Sequence, residues 1–271
     1  MITFIPTPIG NPQDITLRAM RLFETADIFL CEDTRETKKL LRLLEERFEM
    51  HMPDADFYSF HEHNGAERLI QLGDVLTTQN IVYVSDAGMP AISDPGQVLV
   101  AYAQEQGIDY DVLPGASAVT TAYAASGFES GNFCFVGFLP HKGKERQAQL
   151  DAVLANSADT ILYEAPHRLD KLLDALMAAD PDREIFAAKE LTKRYQRYYR
   201  GTAASVRERI LTETIRGEWV VIVRGKQSEH QSLSFEAVLH LDLPPKPKAK
   251  LLAQLSGKST KEWYAILTAK G

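Results

Sequence analysis

Short apolar runs alternate with longer amphipathic stretches through the first 225 residues. A run too short for a helix and bounded by turn residues is a buried strand. Strands that alternate with helices build βαβ units on a mostly parallel sheet. Strands are expected at 1–5, 26–31, 57–60, 80–85 and 110–113, with helices at 12–25, 34–47, 67–77 and 95–106. Beyond Pro114 the pattern resumes, with helices at 116–126, 143–154, 166–178 and 205–215. The strands there are 133–137, 160–164, 184–189, 198–201 and 218–223. The expected organisation is therefore two α/β domains, 1–114 and 115–225, with a small helical appendage at 226–271. The appendage opens on a stiff segment, Leu243-Pro244-Pro245-Lys246-Pro247, followed by short helices at 248–255 and 259–269. Six lysines face Asp242 and Glu262 over 242–271, a local excess of +4.

Composition narrows the class. With 271 residues, 45% of them hydrophobic, the chain can bury a core without disulfides or a structural metal. Thirty-seven acids against 30 Lys and Arg give −7, which argues against a protein that coats nucleic acid non-specifically but permits a local basic patch. Cys31 and Cys134 lie far apart and lack metal-ligand spacing, which fits the reducing cytoplasm. No apolar run reaches the ~18 residues of a membrane span, and the N-terminus lacks the basic-then-apolar order of a signal peptide.

Chemistry-bearing residues gather where strands meet helices. Pro6-Thr7-Pro8-Ile9-Gly10-Asn11-Pro12 follows the first strand, where open α/β sheets place ligands, but it is not a dinucleotide fingerprint. A plain strand–helix turn explains it equally well. The 85–96 loop, Ser-Asp-Ala-Gly-Met-Pro-Ala-Ile-Ser-Asp-Pro-Gly, offers free backbone amides. Its Asp94 caps the helix that Pro95 opens. In Pro114-Gly115-Ala116-Ser117-Ala118 small side chains leave room for a flat ligand, or for close helix packing. Glu32-Asp33-Thr34-Arg35 opens a helix. Capping accounts for Asp33 and Thr34, whereas Arg35 opposes the helix dipole and either grips a phosphate or pairs with Asp33. His61-Glu62-His63-Asn64 has two histidines on one strand face but no third metal ligand at usual spacing. Tyr163-Glu164-Ala165-Pro166-His167-Arg168 sets two acid–base candidates, Glu164 and His167, beside a cation; helix initiation at Pro166 is the alternative. The 189–200 segment carries five positive charges, one acid and interleaved tyrosines, as single-stranded RNA binders do; a solvated charged face is the plainer account.

Taken in order, these pieces resemble the tetrapyrrole methylase superfamily of S-adenosylmethionine enzymes. More closely they resemble the ribosomal RNA small subunit methyltransferase I family, as do Gly137-Phe138-Leu139-Pro140, Lys189-Glu190-Leu191-Thr192-Lys193 and Gly217-Glu218. The resemblance spans about residues 1–225. It implies two α/β domains with S-adenosylmethionine in the cleft between them, a homodimer, and 2′-O-methylation of a cytidine in the decoding region of 16S rRNA. Carried onto this chain, donor contacts fall on Pro8, Met89, Ala91, Ile92, Ser117, Ala118 and Tyr163. Acid–base candidates are Asp33, Glu164 and His167. Arg35, Arg168, Lys189, Arg194, Arg197 and Arg200 are the RNA candidates. No metal is expected, because the sulfonium donor is already activated. Where the family commonly shows an acid after Lys-Glu-Leu-Thr-Lys, this chain has Tyr195-Gln196-Arg197. The rival functions are a small-molecule tetrapyrrole methylase and a non-catalytic ribosome-associated RNA-binding protein.

Overall fold

The computed structural model describes residues 1–61, 63–212, 214–226 and 235–269. Glu62 of the histidine motif and the end of the tail at 270–271 lie outside them. The chain divides into two compact units, Met1–Gly225 and Lys226–Gly271.

The first half of the larger unit runs β1 (Ile2–Phe4), α1 (Leu17–Glu24), β2 (Ile28–Cys31), α2 (Thr34–Phe48), β3 (Asp56–Ser59), α3 (Gly65–Leu72), α4 (Val75–Thr78), β4 (Ile81–Val84), α5 (Gly96–Gln106) and β5 (Tyr110–Val112). The strands form one parallel sheet in the order β3-β2-β4-β1-β5. Helices cover both of its faces, which is why the inner strands β2 and β4 read as unbroken apolar runs. Ile28, Leu30, Ile81 and Tyr83 enter the core on one side, and Phe29, Cys31, Val82 and Val84 enter it on the other.

The second half runs α6 (Ala118–Ser126), β6 (Phe133–Phe138), α7 (Gly143–Ala155), β7 (Asp159–Glu164), α8 (Pro166–Ala179), β8 (Glu184–Lys189), β9 (Arg197–Thr202), α9 (Ala203–Leu211) and β10 (Trp219–Val223). Its sheet has the order β6-β7-β10-β8-β9. Here the expectation of a mostly parallel sheet is corrected. Only β6 and β7 pair in parallel; β10 inserts antiparallel between β7 and β8, and β9 folds back on β8. Trp-Val-Val-Ile-Val in β10 is buried on both faces, so its apolar run is the same whichever way its neighbours point. Ile9 of the first half, Val119 and Ala122 of α6, and Phe186, Val220 and Ile222 of the second sheet share one apolar core.

The smaller unit contains α10 (Phe235–His240), α11 (Pro245–Gln254) and α12 (Thr260–Thr268). The stiff-linker expectation for 243–247 is corrected: Pro245 starts α11, where its missing N–H costs nothing. Ser259 and Glu262 form a reciprocal capping box on α12. Trp263 packs on Phe235, with ring centroids 5.3 Å apart, and donates its indole N–H to Ser256 Oγ at 2.7 Å.

Candidate active site

The loops after β1 and β4 are stitched together. Thr7 and Gly88 exchange both backbone hydrogen bonds at 3.0 Å, and the Thr7 hydroxyl donates to the Ser85 carbonyl. Gly88 sits at φ +83°, and a Cβ there would press on Ile9. Past Gly88 the loop is organised by Asp94. Its carboxylate accepts from the backbone N–H groups of Ala91, Ile92 and Gly96 and from the Tyr83 hydroxyl, at 2.8–3.2 Å. It therefore takes the first N–H of α5, whose N-cap is Pro95 and not Asp94, and also closes the turn. Ala91 and Ser93 are held at φ 62° and 67°, a left-handed conformation that side chains other than glycine rarely adopt. Burial and the Asp94 charge push the Tyr83 phenol far up, so it stays a donor.

Between this loop and the second sheet lies a cleft of two joined chambers. A smaller one of about 130 Å³ reaches Glu32, Ser85 and Asp94, and a larger one of about 400 Å³ reaches Trp219 and Glu218. Ile9, Ala87, Ala118, Phe138 and Tyr163 line both. The larger chamber falls within the ~300–1,000 Å³ typical of small-molecule sites. Ser85 Oγ is buried there with no hydrogen-bond partner. The N-terminus of α6 meets the cleft at Ser117 and Ala118, and no side chain caps it. An orphaned hydroxyl and free backbone N–H groups beside apolar walls fit a ligand that combines a flat apolar part with polar arms, as S-adenosylmethionine does. Burial, then the Glu218 charge, raise the Tyr163 phenol to about 12, which keeps its hydroxyl protonated at neutral pH.

Of the expected donor contacts, Met89, Ile92, Ser117, Ala118 and Tyr163 line this cleft. Pro8 does not; it lines a separate groove with Gly10, Lys39, Leu43 and Asp86. Ala91 is also absent from the lining, and its N–H is committed to Asp94. Sequence reasoning misses Glu32, Ile9 and Phe138 as cleft residues, yet all three line it. For Glu32 the available signal is its place at the carboxyl end of a buried strand.

The three acid–base candidates separate. Asp33 is the N-cap of α2; its carboxylate accepts from the Arg35 backbone N–H at 2.8 Å and pairs with the guanidinium at 2.6 Å. Those bonds lower it to about 2. Asp86, whose carboxylate accepts from the Asp33 N–H at 3.0 Å, moves upward because it is partly desolvated. The Glu164 side chain is fully buried. Arg146 reaches it at 3.0 Å and Arg168 Nε at 2.9 Å, and both arginines also donate to the Pro140 carbonyl. This cluster clamps the Gly-Phe-Leu-Pro turn onto the start of α8 and leaves the carboxylate no open side. His167 is exposed in the first turn of α8.

The RNA candidates divide the same way. Arg168 is buried, with Nη2 on the Leu139 carbonyl at 2.6 Å, and buried Lys189 lies over the Trp219 ring at 5.6 Å. Arg200 pairs with Glu184 at 2.6 Å and donates to the Ser126 carbonyl. For Arg168 and Lys189 the expected RNA contact is corrected, because their cations are buried in the fold; Arg200, though paired, stays exposed. Arg35, Arg194 and Arg197 are exposed. Tyr199 is buried and stacks on Trp219, whereas Tyr195 and Tyr198 are exposed. The His61 and His63 rings stand 6.0 Å apart. Among the described residues no group of three His, Cys, Asp or Glu could hold a metal.

A family model for Tetrapyrrole (Corrin/Porphyrin) Methylases matches residues 1–207. Ribosomal RNA small subunit methyltransferase I of Helicobacter pylori strain ATCC 700392 / 26695 is 45% identical over 97% of this chain and 96% of its own length. Among solved structures, a diphthine synthase superposes with TM-score 0.63 at 17% identity, covering 94% of this chain and 99% of its own. A uroporphyrin-III C-methyl transferase from Thermus thermophilus, solved with S-adenyl homocysteine, superposes at 0.56 and 16% identity, covering 83% and 97%. These two show the fold. A cleft bounded by a strained, Asp94-braced loop and a mixed sheet, in a chain this close to a named relative along its whole length, means that the chain belongs to the tetrapyrrole methylases and, within them, to the ribosomal RNA small subunit methyltransferase I family.

Proposed function

We propose that this methyltransferase transfers a methyl group from S-adenosylmethionine to the 2′-oxygen of a cytidine ribose in the decoding region of 16S rRNA. The observation that carries the reading is the two-chambered cleft with the orphaned Ser85 hydroxyl at its floor. When bound, S-adenosylmethionine supplies a methyl group already activated on a sulfonium, so a metal is not needed. Ser85 Oγ and the α6 N-terminus bind its polar arms, while Ile9, Ile92 and Ala118 exclude water. The larger chamber takes the ribose, and positioning supplies most of the rate. The ribose hydroxyl is a weak acid whose proton leaves late. Asp33, at about 2, is too weak a base to receive it, and Glu164 is enclosed by arginines. His167 is the one of the three left exposed and unenclosed, although it lines neither chamber. A small tetrapyrrole as acceptor is less well supported, because the 45% relative is named for ribosomal RNA.

We assign 1–114 and 115–225 to two domains, one per sheet, and 226–271 to an appendage. We place the protein at the ribosome in the cytoplasm. Among the described residues no helix is long and apolar enough to cross a membrane. Arg194 and Arg197 contact the RNA. We also propose a homodimer, supported by the edge strand β6, which exposes Phe133 and Val136. Light scattering at micromolar concentration gives twice the chain mass if this holds and the single mass if it does not.

The deciding experiment incubates the protein with tritiated S-adenosylmethionine and small ribosomal subunits from cells lacking the enzyme, then maps the label. One 2′-O-methylated cytidine in the decoding region is expected. Label on a base, or in no RNA, removes the reading. Calorimetry with a chelator present should still show donor binding.

A further inference from the structure

The ends of α2 suit its dipole, with Asp33 at the N-cap, Glu36 in the first turn and Arg47 in the last. Between them Arg35, Lys38, Lys39 and Arg42 crowd the first half of the helix, before Glu45 and Glu46. The four cations also stand three and four residues apart, so they are neighbours on one face. Like charges at that spacing destabilise a helix. All four are exposed, in a chain whose net charge is −7. Arg35 is partnered by Asp33, and Lys39 by Glu36 at 3.3 Å. Among the described residues Lys38 and Arg42 have no acid within ion-pair distance; Lys38 lies over the Phe57 ring at 4.6 Å. Folding does not account for this stripe.

Its position suggests what does. Arg35, Lys38, Lys39 and Arg42, with Leu43 and Glu46, edge a trough of about 490 Å³ along the helix. Lys39 and Leu43 also line the adjoining groove of Pro8, Gly10 and Asp86. Asp86 sits between Ser85 and Ala87, both of which line the cleft. Gly10 approaches the 191–193 turn so closely that a Cβ there would strike Lys193 and the Leu191 carbonyl. The cationic stripe therefore adjoins a groove whose Asp86 is next in sequence to two cleft residues, and from Arg35 to Arg42 it runs about 10 Å along the helix axis.

We propose that the basic stripe of α2 is a phosphate-binding track, which holds the backbone of the RNA strand flanking the nucleotide in the cleft. This inference rests on the reading of the protein as an rRNA methyltransferase. The contacts are to phosphate, so they set affinity and register and leave base identity to the cleft.

The test is the double variant Lys38→Gln with Arg42→Gln, beside a control that removes two exposed cations elsewhere, Arg21→Gln with Lys171→Gln. Anisotropy with a fluorescein-labelled single-stranded RNA is measured from about 50 to 200 mM salt. The stripe variant should bind about tenfold more weakly, with a salt slope smaller by about 1.4, or about 0.7 for each phosphate that is no longer neutralised. The control should match wild type. With small ribosomal subunits the stripe variant should show a raised KM, with kcat and donor affinity unchanged. Its melting temperature should stay level or rise, because like-charge neighbours have been removed. Wild-type RNA affinity and slope in the stripe variant would overturn the proposal, as would a fall in melting temperature. A raised subunit KM with unchanged RNA affinity would also overturn it, since the stripe would then face a ribosomal protein. If wild type binds RNA through the stripe but methylates nothing, the track stands and the activity reading falls. If wild type binds no RNA, both fall.

Discussion

The two sheets frame the same cleft by different means. The parallel sheet ends all its strands on one side, so the turns after β1 and β4 arrive together as backbone. What they present is N–H and carbonyl groups, braced by a single side chain, Asp94. The mixed sheet presents side chains instead: Tyr163 from β7 and Trp219 from β10 stand on its wall, and a buried Glu164 cluster anchors the turn that carries Phe138. Backbone geometry can be shared across many substrates, whereas a wall of side chains is readily changed. The proposed donor site draws on both, taking Ser85 from the parallel half and the α6 N-terminus from the mixed half.

The largest effect should come from breaking the anchor of the mixed half. Glu164→Ala strands Arg146 and Arg168, whose side chains are 17% and 10% exposed. Removing one partner from a buried ion pair costs about 3–5 kcal/mol. Urea denaturation should show a loss of that size, with donor affinity in the folded fraction largely preserved. A loss under about 1 kcal/mol would mean that water reaches the arginines and the anchor is not buried in solution.

Asp94→Ala tests the parallel half. It removes acceptors from three backbone N–H groups and a buried phenol, and it frees Ala91 and Ser93 to leave their left-handed conformations. Loss of one or two charge-assisted bonds, about 2.7 kcal/mol, corresponds to about a hundredfold weaker donor binding by calorimetry. Asp94→Asn, which keeps a carbonyl acceptor, should recover part of it. Donor affinity equal to wild type in the alanine variant would show that the loop holds its shape without the brace.

A smaller effect belongs to Arg194→Ala with Arg197→Ala. Both cations are exposed beside the cleft-side turn, so RNA affinity should fall several-fold and the salt slope should flatten by about 1.4. An unchanged slope would make the pair a solvated face.

How much of this is legible in the sequence follows from which interactions are local. In the parallel half β1 and β4 are buried on both faces and run into turns rich in Pro and Gly, so both they and their ligand-bearing turns can be read from adjacent residues. The insertion of β10 between β7 and β8 cannot, because strand order is set by long-range pairing. Glu164 and Arg168 sit at a strand–helix corner, where charged residues look available for chemistry. Their burial is decided by Arg146 and by the Leu139 and Pro140 carbonyls, distant in sequence. Arg200 looks free for the same reason, since its partner Glu184 lies on the neighbouring strand. The stripe on α2 is open to view as an i, i+3, i+4, i+7 pattern, although Arg35 alone stands out beside the helix start.

The smallest effect is the one that separates capping from catalysis at Asp33. Its hydrogen bonds with Arg35 lower the carboxyl to about 2, against about 3.9 in an unfolded chain. A depressed carboxyl stabilises the folded state above its unfolded value and loses that contribution as the pH falls through the folded one. Asn is itself a good N-cap, so Asp33→Asn removes the charge pairing and keeps the cap. The stability difference between wild type and Asp33→Asn should therefore be flat from neutral pH to about 5, and shrink as the pH falls through about 2. Because both side chains face water, the plateau should be small and should shrink further in salt. The same variant should methylate at close to the wild-type rate, because a group ionised down to about 2 has little affinity for a ribose proton. A gap undiminished at pH 2 would remove the Arg35 pairing as the cause. A collapse of kcat with donor and RNA affinity intact would return Asp33 to the chemistry.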